Sequence, residues 1–319
     1  MILLSFIIPV YNCAHLIRRC VESIVFQRIS GYEIILVNDG SKDNSLAICK
    51  TLAIKYTSIR VFSHENRGTS STRNKGLSES NGKYVWFVDA DDYIPSGFLP
   101  QLWGHLIKND FEIITFNYLH ITQHGRKEVL NYNKEENIST ITYLNNAPNM
   151  FAATKIYKKD SLGVLIFKDG LKNIEDFLFN IQYLSQHQTI YVLPLIGYVY
   201  DNTNDNSTSK NRTLRNLIKV SLDSMVVHYT IKEELHKIDD NCMREIIYEQ
   251  LNYSIAGYFF SLLKYYNPKY LLKIKSIYKD KGLYPIGYIK KSKARIFARI
   301  INIEPLLNFI TYSYKYLKK

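Results

Sequence analysis

The sequence lacks the features of disulfide-rich, zinc-binding and secreted proteins. Its 319 residues contain only four cysteines, Cys13, Cys20, Cys49 and Cys242, with no Cys-x-x-Cys pair and no histidine at the spacing of a zinc site. We therefore expect reduced, partly buried thiols. The apolar amino terminus has neither a basic leader nor a small-residue cleavage site. This pattern predicts a first strand instead of a signal peptide, and a protein that is made and acts in the cytosol.

Two glycine-rich phosphate-binding loops are also missing. The turn after the first predicted strand, residues 9–15, reads PVYNCAH where a dinucleotide-binding fold would have Gly-x-Gly-x-x-Gly. No Walker-type Gly-x-x-x-x-Gly-Lys occurs either. Phosphate groups would therefore be bound by a metal ion and basic side chains. The same absence counts against a nucleotidyltransferase, which normally needs a glycine-rich loop with basic residues after strand one.

Acidic residues are scarce at the end of the chain. Residues 264–319 hold 14 lysines and arginines but only two acids, so this tail alone accounts for the formal charge of +12 and the other 263 residues are neutral in sum. A basic tail rich in tyrosine predicts an anionic partner, either lipid headgroups or nucleic acid, whereas the neutral body argues against a nucleic-acid groove. We expect no nucleic-acid partner for the main domain.

The last part of the tail, residues 294–317, mixes isoleucine, leucine and phenylalanine with basic residues. Pro305 and the charges count against a transmembrane span. The segment predicts an amphipathic helix lying on an anionic membrane surface, and the alternative is a helix docked on the enzyme body with a solvated basic face.

Strands and helices alternate in the first hundred residues. Apolar runs at 3–9, 33–37, 59–63 and 83–88 predict strands, and amphipathic segments such as 16–26 and 46–56 predict the helices between them. Right-handed crossovers place the carboxyl ends of these strands along one edge, where open α/β sheets bind ligands. Further patterns predict a helix at 97–108, strands at 111–121 and 190–200, polar loops at 122–150 and 201–211, and two long helices from 214 to 235 and 243 to 263. We predict a Rossmann-like, mostly parallel α/β sheet flanked by helices, with a C-terminal helical extension.

The fourth predicted strand runs directly into three carboxylates, Asp89, Asp91 and Asp92. If the chain stays extended, Asp89 and Asp91 point to the same side. Like charges this close either raise one another's pKa or attract a cation. Carboxylate oxygens at a strand end suit Mg²⁺ or Mn²⁺ bound together with a substrate phosphate.

Three further polar positions lie near the same edge. Asp39 follows the second strand, and we favour a hydrogen bond to a base or ribose over a purely turn-forming role. Arg73 lies in the first turns of the helix after strand three, within reach of a base or a pyrophosphate. The pair Glu175 and Asp176 opens an apolar helical segment, and from spacing alone the helix dipole explains it slightly better than catalysis.

Taken together, these motifs resemble the inverting family 2 glycosyltransferases of the glycosyltransferase A fold, which include bacterial polysaccharide-building enzymes. The resemblance is carried by residues 5–12 (SFIIPVYN), 33–41 (EIILVNDGS), 66–68 (NRG), 73–76 (RNKG) and 87–92 (FVDADD), and further on by 155–158 (KIYK) and 175–176 (ED). It implies a catalytic domain at 1–211, with a nucleotide-sugar-binding half at 1–100 and an acceptor half at 101–211, followed by the extension at 212–319.

The resemblance also implies roles for individual residues. Pro9 and Tyr11 would lie near the base of a nucleotide-sugar donor, most often a UDP-sugar, with Asp39 bonded to the base and Asn66 and Arg73 close by. Asp89 would reach the ribose, and Asp91 would bind Mn²⁺ or Mg²⁺ at the diphosphate. Asp176 would be the general base. In one departure, Asp201 and Asn202 follow Tyr200 where related sequences often have a basic residue. That task then falls to Lys210 or Arg212, or the loop is shifted.

The expected activity is the metal-assisted transfer of a sugar to a glycan or lipid-linked saccharide acceptor, in surface polysaccharide or glycolipid synthesis. The expected place is the cytoplasm, peripheral on the inner face of the cytoplasmic membrane. The alternatives are a catalytically inactive, membrane-associated protein that binds glycans or nucleotide-sugars and, less favoured, a nucleotidyltransferase.

Overall fold

The computed structural model describes residues 1–146, 149–203, 214–265, 268–290 and 292–303. The chain forms two compact units, Met1–Leu217 and Ile218–Lys319. The sequence analysis placed the corresponding boundary at 211/212, inside a segment that the structure does not describe. Lys210, Arg212, most of the predicted loop at 201–211 and most of the predicted amphipathic tail also lie outside the described residues.

The first half of unit one is the predicted alternation of strands and helices. Its elements are β1 (Leu4–Val10), α1 (Ile17–Val25), β2 (Tyr32–Asp39), α2 (Ser45–Lys55), β3 (Ile59–His64), α3 (Thr69–Glu79), β4 (Tyr84–Phe87) and α4 (Phe98–Lys108). The four strands are parallel and lie in the order β3-β2-β1-β4. Strands β1, β2 and β4 are largely apolar and buried, as expected of strands covered on both faces, whereas β3, at the edge of the sheet, is mostly half-buried.

The second half continues the same sheet with strands of both directions. Its elements are β5 (Ile113–Thr122), β6 (Gly125–Val129), β7 (Glu136–Ser139), α5 (Thr140–Asn145), β8 (Lys155–Lys158), α6 (Glu175–Leu184) and β9 (Thr189–Asp201). The sheet order is β3-β2-β1-β4-β8-β5-β9-β7, with β6 paired to β5. Strand β8 is antiparallel to both β4 and β5. Six strands share one direction, which confirms a mostly parallel α/β sheet.

The prediction of loops at 122–150 was wrong in part. That region contains β6, β7 and α5. The reason is that β6 reads GRKEV and is mostly exposed, so it carries no alternation of apolar and polar residues. It forms because its backbone pairs with the longer β5, from Tyr118↔Val129 to Thr122↔Gly125.

Helices cover both faces of the sheet. On one face Phe6, Trp86 and Phe116 pack in a single apolar cluster with residues of α1, α2 and α4. On the other face Phe87 contacts Phe179 of α6, with ring centroids 5.9 Å apart. There α3 approaches so closely that a Cβ on its Gly76 would lie 2.3 Å from Ile7 Cγ2.

Unit two is helical. Its described elements are the end of α7 (Leu214–Glu234), α8 (Asn241–Tyr265), α9 (Pro268–Asp280) and α10 (Ser292–Asn302), so the two long predicted helices and the helical extension are confirmed. At its centre the buried His228 contacts the Tyr278 hydroxyl through Nδ1 and the Ser254 hydroxyl through Nε2, both at 2.8 Å. Burial lowers the pKa of His228 to about 3, which keeps the ring neutral. Among the described residues, no helix is both long enough and apolar enough to cross a membrane.

Candidate active site

The carboxyl end of β2 holds Asp39, whose side chain is buried. Its two carboxylate oxygens accept hydrogen bonds from the main-chain N–H groups of Arg67 (2.7 Å) and Gly68 (2.9 Å). The Asn66 side chain in turn donates to the Asp39 carbonyl oxygen (3.1 Å). Asp39 therefore fixes the loop between β3 and α3. Its Oδ1 also lies 3.4 Å from His64 Nδ1, and its Oδ2 keeps a second lone pair for a further donor.

Pro9 is half-buried near the end of β1, and Tyr11, whose ring is exposed, lies in the loop after this strand. This loop is held by the β2–α2 loop, because Asn12 N–H donates to the Ser41 hydroxyl (3.1 Å) and Asn12 Oδ1 accepts from Lys42 N–H (2.7 Å). An exposed tyrosine on a fixed loop at the ligand-binding edge is available for stacking. Its role towards a base stays a prediction.

The acidic stretch after β4 is a turn and not an extension of the strand. The strand ends at Phe87, and Asp92 N–H donates to the Asp89 carbonyl oxygen (3.1 Å). The condition under which strand alternation would place Asp89 and Asp91 on the same side, an extended chain through Asp91, is therefore not met.

Each carboxylate of this turn has a different environment. Asp89 accepts a hydrogen bond from Arg73 (2.8 Å). Asp92 is buried and accepts from the Tyr198 hydroxyl (2.7 Å) and from Asp201 N–H (2.8 Å), so it braces the turn against β9. Burial, together with the charges of Asp91 and Asp89, raises the pKa of Asp92 well above its usual value.

Asp91 has the features of a metal ligand. Across the residues that the structure describes, no basic side chain forms an ion pair with its carboxylate. Burial and the charge of Asp89 raise its pKa to about 6. Within the same residues, no group of three or more His, Cys, Asp or Glu side chains is arranged to hold a metal. One hard oxygen ligand fits Mg²⁺ or Mn²⁺ whose other positions are filled by a diphosphate and water, and does not fit a cage of protein ligands.

Arg73 joins the two halves of the sheet edge. Its side chain is only 3% exposed, and it forms ion pairs with three carboxylates: Asp89 (2.8 Å), Glu175 (2.9 Å) and Asp176 (2.7 Å). Burial disfavours its charge, but the three carboxylates outweigh that cost and raise its pKa. From its position in the first turns of α3, Arg73 was predicted to lie near a base or pyrophosphate, whereas in the structure its terminal nitrogens contact the carboxylates of Asp89, Glu175 and Asp176.

The acidic pair lies where the sequence predicted it, in the first turn of α6. Asp176 Oδ2 also accepts from Ala152 N–H (2.9 Å), which fixes the carboxylate from the side opposite Arg73. Burial raises the pKa of Asp176, while Arg73 opposes that rise. Burial and the charge of Asp176 raise the pKa of Glu175 to about 7.

Sequence reasoning missed two residues of the site. Arg19 of α1 donates to the Asp91 carbonyl oxygen and to the Asp201 carboxylate, both at 2.5 Å. Its guanidinium also lies 4.7 Å from the centre of the Tyr93 ring. Tyr198, the second, carries the hydroxyl that bonds Asp92. The sequence signal for Arg19 was Asp201, which stands where related sequences often have a basic residue. A carboxylate near an expected phosphate site needs a basic partner from elsewhere in the chain.

The sequence and the fold are both similar to those of known proteins. The model of glycosyl transferase family 2 matches residues 5–165. The chain belongs to this family. Among individual relatives, it is 31% identical over 202 residues to the glycosyltransferase GlyA of Streptococcus pneumoniae, an alignment that covers 59% of this chain and 29% of GlyA. It is 31% identical over 192 residues to the minor teichoic acid biosynthesis protein GgaA of Bacillus subtilis, covering 56% of this chain and 43% of GgaA. The chain thus spans less than half the length of either relative.

The fold also matches that of a solved structure. The crystal structure of residues 1–349 of S. aureus TarS in complex with UDP-GlcNAc superposes with a TM-score of 0.73 at 18% identity, covering 98% of this chain and 92% of that one. At this identity the likeness concerns the fold alone, and it confirms the glycosyltransferase A type predicted from the sequence.

Proposed function

We propose that the protein transfers a sugar from a nucleotide-sugar, namely a UDP-sugar, to a hydroxyl of a glycan or lipid-linked saccharide. The observation that carries the proposal is the contact of one buried guanidinium with Asp89 of the nucleotide half and Asp176 of the acceptor half. This contact brings a candidate base beside the end of β4, where the donor diphosphate is expected. Family membership and the UDP-GlcNAc bound by TarS support the same class of donor.

The reaction is a single displacement that inverts the anomeric carbon. An acceptor oxygen forms the new bond to that carbon, the bond to the diphosphate oxygen breaks, and Asp176 accepts the proton of the acceptor hydroxyl. A carboxylate whose pKa is raised by burial holds that proton better than an exposed aspartate does. Arg73 and Ala152 N–H each engage one oxygen of Asp176 and so fix its orientation.

The nucleotide part of the donor would be bound by residues of the first half. Tyr11 and Pro9 would contact the base, Asp39 would use its remaining lone pair to accept from it, and Asn66 would support the loop beside it. Asp89 would accept from the ribose while bonded to Arg73. A Mn²⁺ or Mg²⁺ ion held by Asp91 would neutralise negative charge developing on the departing diphosphate.

A transfer assay tests this function. Nucleotide-sugars are first screened with Mn²⁺ for a rise in melting temperature, and transfer from the stabilising donor is then measured for Asp176→Asn. We expect kcat to fall by about 10²–10⁴-fold, the usual contribution of a positioned base, while UDP binds as in the parent. Asp160→Asn, an exposed acid of the same half, is the matched control and should keep the parental rate. Transfer by Asp176→Asn at the parental rate would show that another residue is the base.

The acceptor and the membrane are proposed on more limited grounds. GgaA is named for teichoic acid biosynthesis, which is consistent with an acceptor in surface polymer synthesis. In unit two, α10 buries Ala298 and Ile301, and its Phe297 ring packs on Phe260 of α8 (5.3 Å). The opposite face exposes Lys293, Ile296, Arg299 and Ile303. A mixed basic and apolar face of this kind suits the anionic inner face of the cytoplasmic membrane.

Vesicle co-sedimentation tests that surface. We expect the protein to bind vesicles with 30–40% anionic lipid, and Lys293→Glu/Arg299→Glu to bind them about tenfold or more weakly, since each basic residue near such a surface contributes about 1 kcal/mol. The double variant Lys50→Glu/Lys237→Glu makes the same change in net charge at exposed sites outside the tail. Equal binding by the two variants would exclude α10 as the membrane-binding face.

A further inference from the structure

A fully buried lysine, Lys155, lies near the candidate base Asp176. Lys155, the first residue of β8, has no exposed surface. Its Nζ donates to the main-chain carbonyl oxygens of Asn149 (2.5 Å) and Phe151 (3.1 Å) and lies 5.8 Å from the centre of the Tyr143 ring. Lysine is almost never fully buried unless its charge has a partner, so this position calls for an explanation.

The two carbonyl groups belong to the segment that holds Asp176. Between them in the chain lies Met150, and directly after them comes Ala152, whose N–H donates to Asp176 Oδ2 (2.9 Å). Asn180 of α6 donates to the Met150 carbonyl oxygen (2.9 Å) and, with the same amide group, to the Asp176 carbonyl oxygen (2.9 Å). Lys155 thus fixes from one side the segment that Asn180 fixes from the other.

The charges around Asp176 give the lysine a second effect. The carboxylates of Asp89 and Glu175 both lie on the guanidinium that Asp176 uses, so that one cation faces three acids. Lys155 adds a second positive charge and lowers the pKa of Asp176, although less than Arg73 does. Burial lowers the pKa of Lys155 itself to about 7, and Asp176 opposes this shift.

We propose that Lys155 is a positioning residue for Asp176, because it fixes the segment that presents Ala152 N–H and supplies a charge that keeps Asp176 ionised beside Asp89 and Glu175. The proposal rests on the proposed function only in taking Asp176 as the base. A lysine that merely filled the core would affect stability and leave the titration of Asp176 unchanged.

The titration of Asp176 tests this in the full chain without requiring transfer. Its side-chain carboxyl ¹³C resonance is identified by its absence from the spectrum of Asp176→Asn, and is then followed with pH in the parent and in Lys155→Met. The groups facing this carboxylate are Arg73 of α3, Asp89 of the turn, Glu175 of α6 and Tyr157 of β8. All remain in the variant, so a change reports the lysine charge.

We expect the Asp176 midpoint to rise by about one pH unit in Lys155→Met, the size of shift that loss of one nearby opposite charge produces. Tyr143→Phe is the matched control, since the Tyr143 hydroxyl donates to the same Asn149 carbonyl oxygen (2.7 Å) without a charge; its midpoint should stay at the parental value. Calorimetry with UDP checks that the nucleotide half is folded. An unchanged midpoint in a folded Lys155→Met protein would overturn the proposal.

Two further results separate this proposal from the proposed function. If Lys155→Met does not fold, Lys155→Gln, which keeps a neutral donor for the carbonyl groups, should show the same rise, and its absence would be equally decisive. Where the parent transfers sugar, kcat of Lys155→Met should fall about 10²-fold through misplacement of the base, and the acid limb of its pH profile should move up with the midpoint. A raised midpoint in a protein that transfers no sugar from any donor supports the positioning role and counts against the function.

Discussion

The two acidic clusters at the sheet edge, the turn at Asp89–Asp92 and the pair Glu175 and Asp176, handle crowded negative charge in different ways. In the turn, each carboxylate has its own surroundings: Asp89 contacts Arg73, Asp92 contacts Tyr198 and β9, and Asp91 is left available for a cation. In the pair, both carboxylates share one guanidinium, which also serves Asp89. Loss of one hydrogen-bond partner in the turn therefore affects mainly one carboxylate, whereas loss of the shared guanidinium affects three.

Removing the shared partner Arg73 should cause the largest loss of stability. Arg73→Met leaves three carboxylates without their cation, and loss of one member of a buried ionic cluster typically costs about 3–5 kcal/mol in the free energy of unfolding. Urea unfolding at pH 7 measures this loss in the free energy of unfolding. The loss should shrink at pH 5, because the carboxylates of the variant have higher pKa values and take up protons more readily than those of the parent.

A half-exposed arginine provides the control for that variant. Arg60 pairs with Glu33 and Glu79, but 39% of its side chain is exposed, so Arg60→Met should cost about 1 kcal/mol or less. Equal losses for Arg73→Met and Arg60→Met would mean that the shared guanidinium is not a centre of stability.

The carboxylate of Asp91 should make UDP binding depend on pH. The pKa of Asp91 in the folded protein is about 6, above the ordinary value of 3.8, so protons compete with a cation below that pH. We expect Mn²⁺-dependent UDP binding to weaken up to about tenfold per pH unit as the pH falls below 6, and Asp91→Ala to bind UDP weakly with or without Mn²⁺. Calorimetry at pH 7, 6 and 5 measures both.

The same raised pKa has a consequence for stability in the absence of metal. Between the two pKa values the folded state binds more protons at Asp91 than the unfolded state, so this residue makes the protein less stable as the pH rises from about 4 to 6. Asp91→Asn should remove that slope. A parent whose UDP affinity is the same at pH 7 and pH 5 would exclude Asp91 as the metal ligand.

The smallest effect is expected where a carboxylate of the turn is held by a neutral partner. Tyr198→Phe removes the hydroxyl that donates to Asp92 and accepts from Asp89 N–H (3.1 Å). The free energy of unfolding should fall by about 1–3 kcal/mol, the cost of leaving a buried acceptor short of a donor. Tyr56→Phe removes a hydroxyl whose contact to Glu22 is long (3.4 Å), and this variant should lie within about 0.5 kcal/mol of the parent. A loss of transfer without a loss of stability in Tyr198→Phe would place Tyr198 in the reaction instead.

The contrast between the two halves of the sheet explains how much of the fold was predictable. Strands β1, β2 and β4 are largely apolar and buried, and β3 is a shorter run at the sheet edge, so the hydrophobic pattern located each of them to within a few residues. Strands β6 and β8 are short and carry charges, and they exist because their backbones pair with longer neighbours. No local pattern reports such pairing, least of all in β8, whose first residue is a buried lysine.

The site was predictable in its parts but not in its connections. The strand ends and the family resemblance placed Asp39, Asp89, Asp91 and Asp176 at one edge, and the structure brings Asp89 and Asp176 to a common partner. What the sequence did not reveal was that Arg73 would be that partner, or that Asp39 would bond two main-chain N–H groups. Such contacts depend on side-chain positions across distant elements, which spacing along the chain does not report.

Strand β8 has a further consequence for the order in which the protein is made. Strand β4 leaves the ribosome about 70 residues before β8, the strand that covers its free edge. During that interval the nascent nucleotide half presents Tyr84–Phe87 as an unpaired apolar edge, the kind of surface on which chains aggregate. Chains truncated before Lys155 should therefore be insoluble even though they contain all four parallel strands. In this protein, a short reversed strand from the second half of the sheet completes the first half.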